Sequence, residues 1–248
     1  MSILNWIAPD APADAFPPVD QALKEPEGLV ASGGDLSRVR LLAAYSRGIF
    51  PWYDAGQPVL WWSPDPRAFL YADQLRISRS LRKTLKRAQF DLSFDQDFQG
   101  VVRACAAPRR NQQETWIIPE MIAAYCDLHD SGHAHSLELR IDGVLAGGIY
   151  GVTLGRMFYA ESMFSRVSDA SKIALAGLVW QLAEWGFPGI DCQLPSPHLE
   201  SMGCVSIPRT EFIKINNAFR TLAPPSRWTF DPLLIARHLA APRKPAKA

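Results

Sequence analysis

From residue 119 onward the chain switches between two spacings of apolar residues, and the switches fall at turn-forming residues. Helical spacing over 119–131 predicts a helix, and strand-like runs follow over 135–141, 144–152 and 156–164. A second helical run covers 171–185 and a short strand covers 189–193. Gly132, Asp142-Gly143 and Gly155 supply the turns. Asp142-Gly143 and Leu154-Gly155 link consecutive strands tightly enough to predict an antiparallel meander, after which the second helix crosses to a further strand. The fold class is therefore α+β.

The first third is more mixed. Asp35 or Ser37 can cap a helix through about Arg47, with Leu36, Val39, Leu42 and Ala43 on its inner side, and Gly48 and Pro51 then turn the chain. Short strands are expected at 59–62 and 67–71 around a turn at 63–66. Residues 1–72 read as a small mixed N-terminal domain with an irregular start, 73–232 as a larger domain, and 233–248 as a disordered tail.

Charge changes the picture in one place. Arg76, Arg79, Arg82, Lys83, Lys86 and Arg87 fall within an arc of roughly 140° on a helix near 78–88, with Ile77, Leu81, Leu85 and Ala88 opposite and Ser78 as N-cap. Such a face is either solvated surface or a contact for phosphates. The net charge of +1 argues against coating of nucleic acid by bulk electrostatics and leaves local patches, among which this one stands out.

Composition bounds the rest. A chain of 248 residues with 48% hydrophobic content suits one large domain or two small ones. No run approaches the roughly 20 apolar residues that span a bilayer, and residues 1–18 lack a signal peptide's basic start and apolar centre. Cys105, Cys126, Cys192 and Cys204 are scattered, as thiols in a reducing compartment are. A cytoplasmic protein without membrane contact is the expectation.

Three polar residues interrupt the apolar strand runs: Glu161, Asp191 and Gln193. A buried carboxylate is costly unless paired or hydrogen-bonded, so Glu161 and Asp191 are either satisfied internally or turned toward a ligand. Asp191 and Gln193 are two positions apart, which on a regular strand puts them on one face. Two other constellations carry less. Cys126, His129, His133 and His135 have metal-like spacing, but they are divided between a helix, a turn and a strand, so no metal is expected. Gly147-Gly148-x-x-Gly151 lies within strand-like sequence, where it predicts a bulge or close packing rather than a dinucleotide loop.

The runs Gly33-Gly34-Asp35-Leu36, Arg47-Gly48-Ile49-Phe50-Pro51-Trp52, Leu60-Trp61-Trp62-Ser63-Pro64-Asp65-Pro66-Arg67, Gly132-His133-Ala134-His135-Ser136, 158–166 and Gly189-Ile190-Asp191-Cys192-Gln193 occur in this order. Together, from about Phe16 to Phe212, they resemble the leucyl/phenylalanyl-tRNA protein transferase family. The resemblance implies a larger domain similar to the acyl-CoA N-acyltransferase (acetyltransferase-like) fold, working without CoA or another cofactor. It implies transfer of Leu or Phe, and by pocket flexibility Met, from aminoacyl-tRNA to the α-amine of proteins with N-terminal Arg or Lys, which marks them for degradation under the N-end rule.

By the same resemblance Trp52 and Trp116 wall the tRNA's terminal adenosine. Ile149, Phe158, Met163, Leu175, Leu178, Leu182 and Ile190 line the pocket for the aminoacyl side chain, although the same spacings would build any core. Arg79, Lys83, Lys86 and Arg87 contact tRNA phosphates, and Asp191, Gln193 and Glu161 form the catalytic group. Asp191 would orient or deprotonate the amine, Gln193 would bond the tetrahedral oxygen or align Asp191, and Glu161 would hold that network or pair with the acceptor's cationic first residue. The chain departs from the family pattern at Ile149 and Leu178, where Met and Phe are frequent, at Ala160, where Gly is common, and in the polar run Gln112-Gln113-Glu114. Two rivals remain. An acyl-CoA-dependent N-acyltransferase needs a glycine-rich pyrophosphate loop, and 165–171 contains no glycine. A non-catalytic RNA-binding module would leave Glu161, Asp191 and Gln193 without a purpose.

Overall fold

Left-handed turn residues Asp142 (φ 49°), Gly143 (φ 75°) and Gly155 (φ 56°) close a three-stranded meander, and Gly132 (φ 76°) turns the chain into its first strand. The computed structural model describes residues 4–87, 89–108 and 115–240. In it, β1 (Asn5–Ile7), β2 (Leu29–Gly33), β3 (Phe50–Pro51) and β4 (Leu60–Trp62) form a four-stranded sheet in the order β1-β2-β4-β3. A seven-stranded sheet is built from β5 (Arg67–Tyr71), β6 (Asp91–Phe94), β7 (Ala134–Ile141), β8 (Val144–Leu154), β9 (Met157–Ser165), β10 (Gly189–Gln193) and β11 (Val205–Ile207). Its order is β11-β5-β10-β9-β8-β7-β6.

The described helices are α1 (Arg38–Ser46), α2 (Arg79–Arg87), α3 (Phe98–Ala106), α4 (Pro119–Asp130), α5 (Ala170–Glu184), α6 (Pro197–Ser201), α7 (Arg209–Phe219) and α8 (Leu234–Ala240). The protein is α+β: β7, β8 and β9 are antiparallel, and α5 crosses so that β10 lies parallel to β9. None of the described helices is long and apolar enough to cross a membrane.

Alternation along the strands divides the core between the two faces of the large sheet. Phe69, Tyr150, Val152 and Tyr159 pack with side chains of α1, α3 and α4 on one face. Ala68, Leu70, Ile149, Phe158 and Ile190 pack with α5 on the other. Helix α5 is apolar on nearly every side because it lies between that sheet face and the covering helices α2 and α8. Glycine permits two close approaches there. A Cβ on Gly147 would meet that of Ala170 at 2.6 Å, and one on Gly151 would meet the Tyr159 carbonyl at 2.3 Å, beside the register shift between Tyr150 and Gly151.

Several local expectations are corrected. The buried residues of α1 are Arg40, Leu41, Ala44 and Tyr45, whereas Val39 is 62% exposed. Apolar spacing misassigned this face because two polar side chains occupy the inside. Arg40 donates to the carbonyls of Ala11 (2.8 Å) and Pro12 (3.1 Å), and Tyr45 enters the site described below. Ser37 holds the cap position of α1 without a side-chain bond, while the Asp35 carboxylate accepts the Ser37 N–H at 2.8 Å. The start expected to be irregular contributes β1, paired parallel to β2. Strand β5, within 1–72, joins the large sheet. In the tail, Leu234–Ala240 is helical, and 241–248 lies outside the described residues.

Candidate active site

The parallel pairing of β9 and β10 sets Asp191 opposite Tyr159, so Glu161 and Gln193, each two residues further on, lie at adjoining strand ends. At both ends the ladder is irregular. The β8–β9 register shifts beside Ala160, and the β10–β5 register shifts between Asp191 and Gln193, where Gln193 adopts φ 62°. A left-handed Gln is uncommon and breaks the strand alternation that would have kept Asp191 and Gln193 on one face. Their side chains accordingly serve different partners.

Gln193 donates Nε2–H to Glu161 Oε1 at 2.8 Å. The same oxygen accepts the Tyr45 hydroxyl at 2.7 Å, Oε2 accepts the Tyr125 hydroxyl at 2.6 Å, and the two phenol oxygens lie 3.1 Å apart. Burial pushes the Glu161 carboxyl up to about 7; the bonds from Tyr125, Tyr45 and Gln193 oppose the rise and the nearby Asp191 charge adds to it. Burial raises the Tyr45, Tyr125 and Tyr150 phenols, and the Glu161 charge raises them further, so all three remain protonated, and Tyr45 and Tyr125 are the two that donate to Glu161.

Asp191 is differently placed. Arg67 donates Nε–H to Oδ1 at 2.8 Å and Nη2–H to Oδ2 at 2.7 Å, a bidentate pair with side-chain exposures of 1% and 0%. Oδ1 also accepts the Gln193 backbone N–H at 3.0 Å. Both oxygens are thus engaged within the protein. The guanidinium lies between the rings of Phe50 and Phe212, 4.8 and 4.5 Å from their centroids.

Glu161 and Gln193 form the polar wall of a cavity of about 90 Å³, whose apolar wall comes from Ile149, Met163, Leu175, Cys192 and Leu199. Of the seven side chains expected around an aminoacyl group, Ile149, Met163 and Leu175 line this space. Phe158, Leu178, Leu182 and Ile190 are buried in the core and do not line it. A wider depression of about 540 Å³ near Arg156, Trp185 and Arg227 contains none of the expected site residues.

Trp52 is 40% exposed, and its ring lies 5.7 Å from that of Trp62, whose Nε1–H donates to the Trp52 carbonyl at 2.6 Å. Trp116 is half-buried against the core; the preceding Gln112-Gln113-Glu114 lies outside the described residues. On α2, Arg79, Lys83, Lys86 and Arg87 are exposed, Leu81 and Leu85 are buried, and Ser78 Oγ accepts the Leu81 N–H at 3.1 Å. Arg82 is tied to the Leu239 carbonyl of α8, and Ala88 lies outside the described residues. Among the described residues, no cation of this helix forms an ion pair.

Asp95, His129 and His135 bring potential metal-ligand atoms within 4.8 Å of one another. Their contacts are already protein-internal: His135 Nδ1 bonds Asp95 Oδ2 at 2.7 Å, His129 Nδ1 bonds the Ala134 carbonyl at 2.8 Å, and Asp95 Oδ1 accepts the Ser136 N–H at 2.9 Å. Cys126 and His133 are not part of this group.

Apolar spacing did not reveal Arg67, Tyr45 or Tyr125 as site residues. Arg67 carried a usable signal, since an Arg opening the otherwise apolar strand Arg67–Tyr71 calls for a buried anion just as Glu161 and Asp191 call for donors. Tyr45 and Tyr125 gave none, because a phenol on a helix is indistinguishable in sequence from core packing.

The family profile described as leucyl/phenylalanyl-tRNA protein transferase matches residues 69–217, and the profile of that family's N-terminal domain matches 34–65. The chain is 56% identical over 217 residues to the leucyl/phenylalanyl-tRNA--protein transferase of Nitrosomonas europaea, covering 87% of this chain and 92% of that protein. It is 53% identical over 231 residues to the protein of the same name from Methylococcus capsulatus, covering 93% and 98%. Among solved structures, L-PGS from Bacillus licheniformis aligns with TM-score 0.37 and 11% identity over 67% of this chain and 53% of that one, a likeness too distant to carry an argument.

Proposed function

From its membership of the leucyl/phenylalanyl-tRNA protein transferase family, to which this chain belongs, we propose that the protein transfers Leu or Phe, and by the flexibility of its pocket Met, from aminoacyl-tRNA to the α-amine of proteins beginning with Arg or Lys. The product is read as a signal for degradation. One observation carries the reading: the 90 Å³ cavity joins an apolar wall, suited to an aliphatic side chain, to the Glu161–Gln193 pair. That volume is below the ~150 Å³ of an apolar cavity that accepts benzene, so Leu enters with less rearrangement than Phe. The flexible Met163 is the wall that yields to a ring.

Aminolysis of the ester forms a bond from amine nitrogen to carbonyl carbon and breaks the bond from that carbon to the ribose oxygen. The amine loses one proton and the ribose oxygen gains one. A protein α-amine with pKa about 7.7–8.0 is already roughly 10–20% unprotonated at pH 7. Positioning is therefore the main demand, and near-attack geometry supplies about 7–11 kcal/mol. A carboxylate only accepts, so the bond to Glu161 fixes the Gln193 amide nitrogen inward and turns its oxygen away as acceptor for an incoming N–H. Glu161, with its carboxyl near neutrality, is suited to accept charge or a proton from that amine. Asp191 acts from behind, through the Gln193 backbone.

Trp52 and Trp116 are assigned to the terminal adenosine, and Arg79, Lys83, Lys86 and Arg87 to tRNA phosphates; the exposure of Trp52 and of the four cations supports this. The α5 crossover following the meander supports an acetyltransferase-like larger domain. The test is transfer of radiolabelled leucine from Leu-tRNA to a protein with N-terminal Arg, against the same protein with N-terminal Ala. Incorporation on the Arg protein alone is expected; absence of incorporation with intact tRNA binding supports a non-catalytic RNA-binding module instead.

A further inference from the structure

A buried Arg–carboxylate pair is seldom retained for stability, since apolar residues of similar volume replace such pairs at little or no cost. The Arg67–Asp191 pair is fully enclosed, and its geometry leads directly to the reacting end of β10. Arg67 engages both Asp191 oxygens, Asp191 Oδ1 accepts the Gln193 N–H, and that bond falls where Gln193 turns to φ 62°. A non-glycine residue in this region is strained and needs surrounding contacts that over-determine it. The Gln193 side chain, so directed, reaches Glu161 and the cavity.

We propose that Arg67 is a positioning residue for the transfer reaction: it clamps Asp191, which holds the Gln193 backbone in its left-handed turn and thereby aims the Gln193 amide at the amine. The inference rests on the transfer reading above. Phe50 and Phe212 hold the guanidinium in register from either side, so the orientation of the fork is fixed by three elements: the β5 strand, Phe50 of β3 and Phe212 of α7. The charge of a lysine there would satisfy Asp191 electrostatically without a two-pronged grip.

Arg67→Lys, Gln193→Ala and the combined variant are to be compared with the parent enzyme for kcat and KM with Leu-tRNA. Arg67→Lys is expected to lower kcat about 10- to 100-fold at unchanged KM. The combined variant is expected to be no slower than Gln193→Ala, because Arg67 acts only through Gln193. Parent-like kcat in Arg67→Lys, or losses that multiply in full, would overturn the assignment. The apolar pair Arg67→Met with Asp191→Leu guards against simple unfolding: melting at the parent temperature with kcat still depressed is expected, and recovery of kcat along with the melting temperature shows a structural role only. Failure of the parent enzyme itself to transfer leucine defeats the transfer reading, which is a separate outcome.

Discussion

Tyr125 and Glu161 are joined by a 2.6 Å hydrogen bond from phenol to Oε2, between side chains with almost no solvent exposure. A hydrogen bond to a charged partner contributes about 1.5–3 kcal/mol, and a neutral one about half that. Tyr125→Phe should therefore destabilise the protein by about 2 kcal/mol at pH 8 and by less at pH 5.5, where Glu161 is protonated. Denaturant melts of both proteins at the two pH values check this; an equal loss at both would place the cost in packing rather than in the bond.

Stability should also fall with pH because of Glu161. Its carboxyl is raised from 4.5 to about 7, so between these values the folded protein holds a proton that the unfolded chain has released. The contribution is fully present below about 4.5 and is lost as pH rises through about 7. The shift corresponds to about 3 kcal/mol. Glu161→Gln removes this dependence, so its stability relative to the parent should improve from pH 5 to about 7 and level off above. Parallel stability curves for the two proteins would contradict the raised carboxyl.

Donor choice should follow the cavity wall. Ile149→Val removes one methyl group from the lining, at a stability cost of about 1 kcal/mol. The ratio of kcat/KM for Phe-tRNA over Leu-tRNA should rise several-fold, up to about 10-fold. An unchanged ratio would mean that the aminoacyl side chain sits elsewhere.

The cationic face of α2 should govern tRNA affinity and its salt dependence. Lys83→Ala is expected to raise KM for Leu-tRNA at unchanged kcat and to reduce the slope of log affinity against log salt by about 1. Filter binding at graded salt concentrations measures this, and an unaltered slope would return α2 to plain solvated surface.

The meander, the crossover helix, the cationic helix with its Ser78 cap and the polar intruders Glu161, Asp191 and Gln193 were all legible in the sequence. Each rests on local information, namely the period of apolar residues, turn glycines and the cost of polar groups in apolar strands. Tertiary structure alone decided who satisfies those intruders. Arg67 and Asp191 are 124 positions apart, Tyr45 and Glu161 116 apart, and no periodicity reports a contact over such separations. The same limit explains α1, whose inner face is set by Arg40 and Tyr45 through distant partners rather than by its apolar residues. It also explains Gln193: strand alternation assigned its face, and a register shift with a left-handed turn, held by Asp191, reassigned it. Local spacing chooses elements, whereas buried charge and hydrogen-bond satisfaction, which are non-local, choose the geometry of the site.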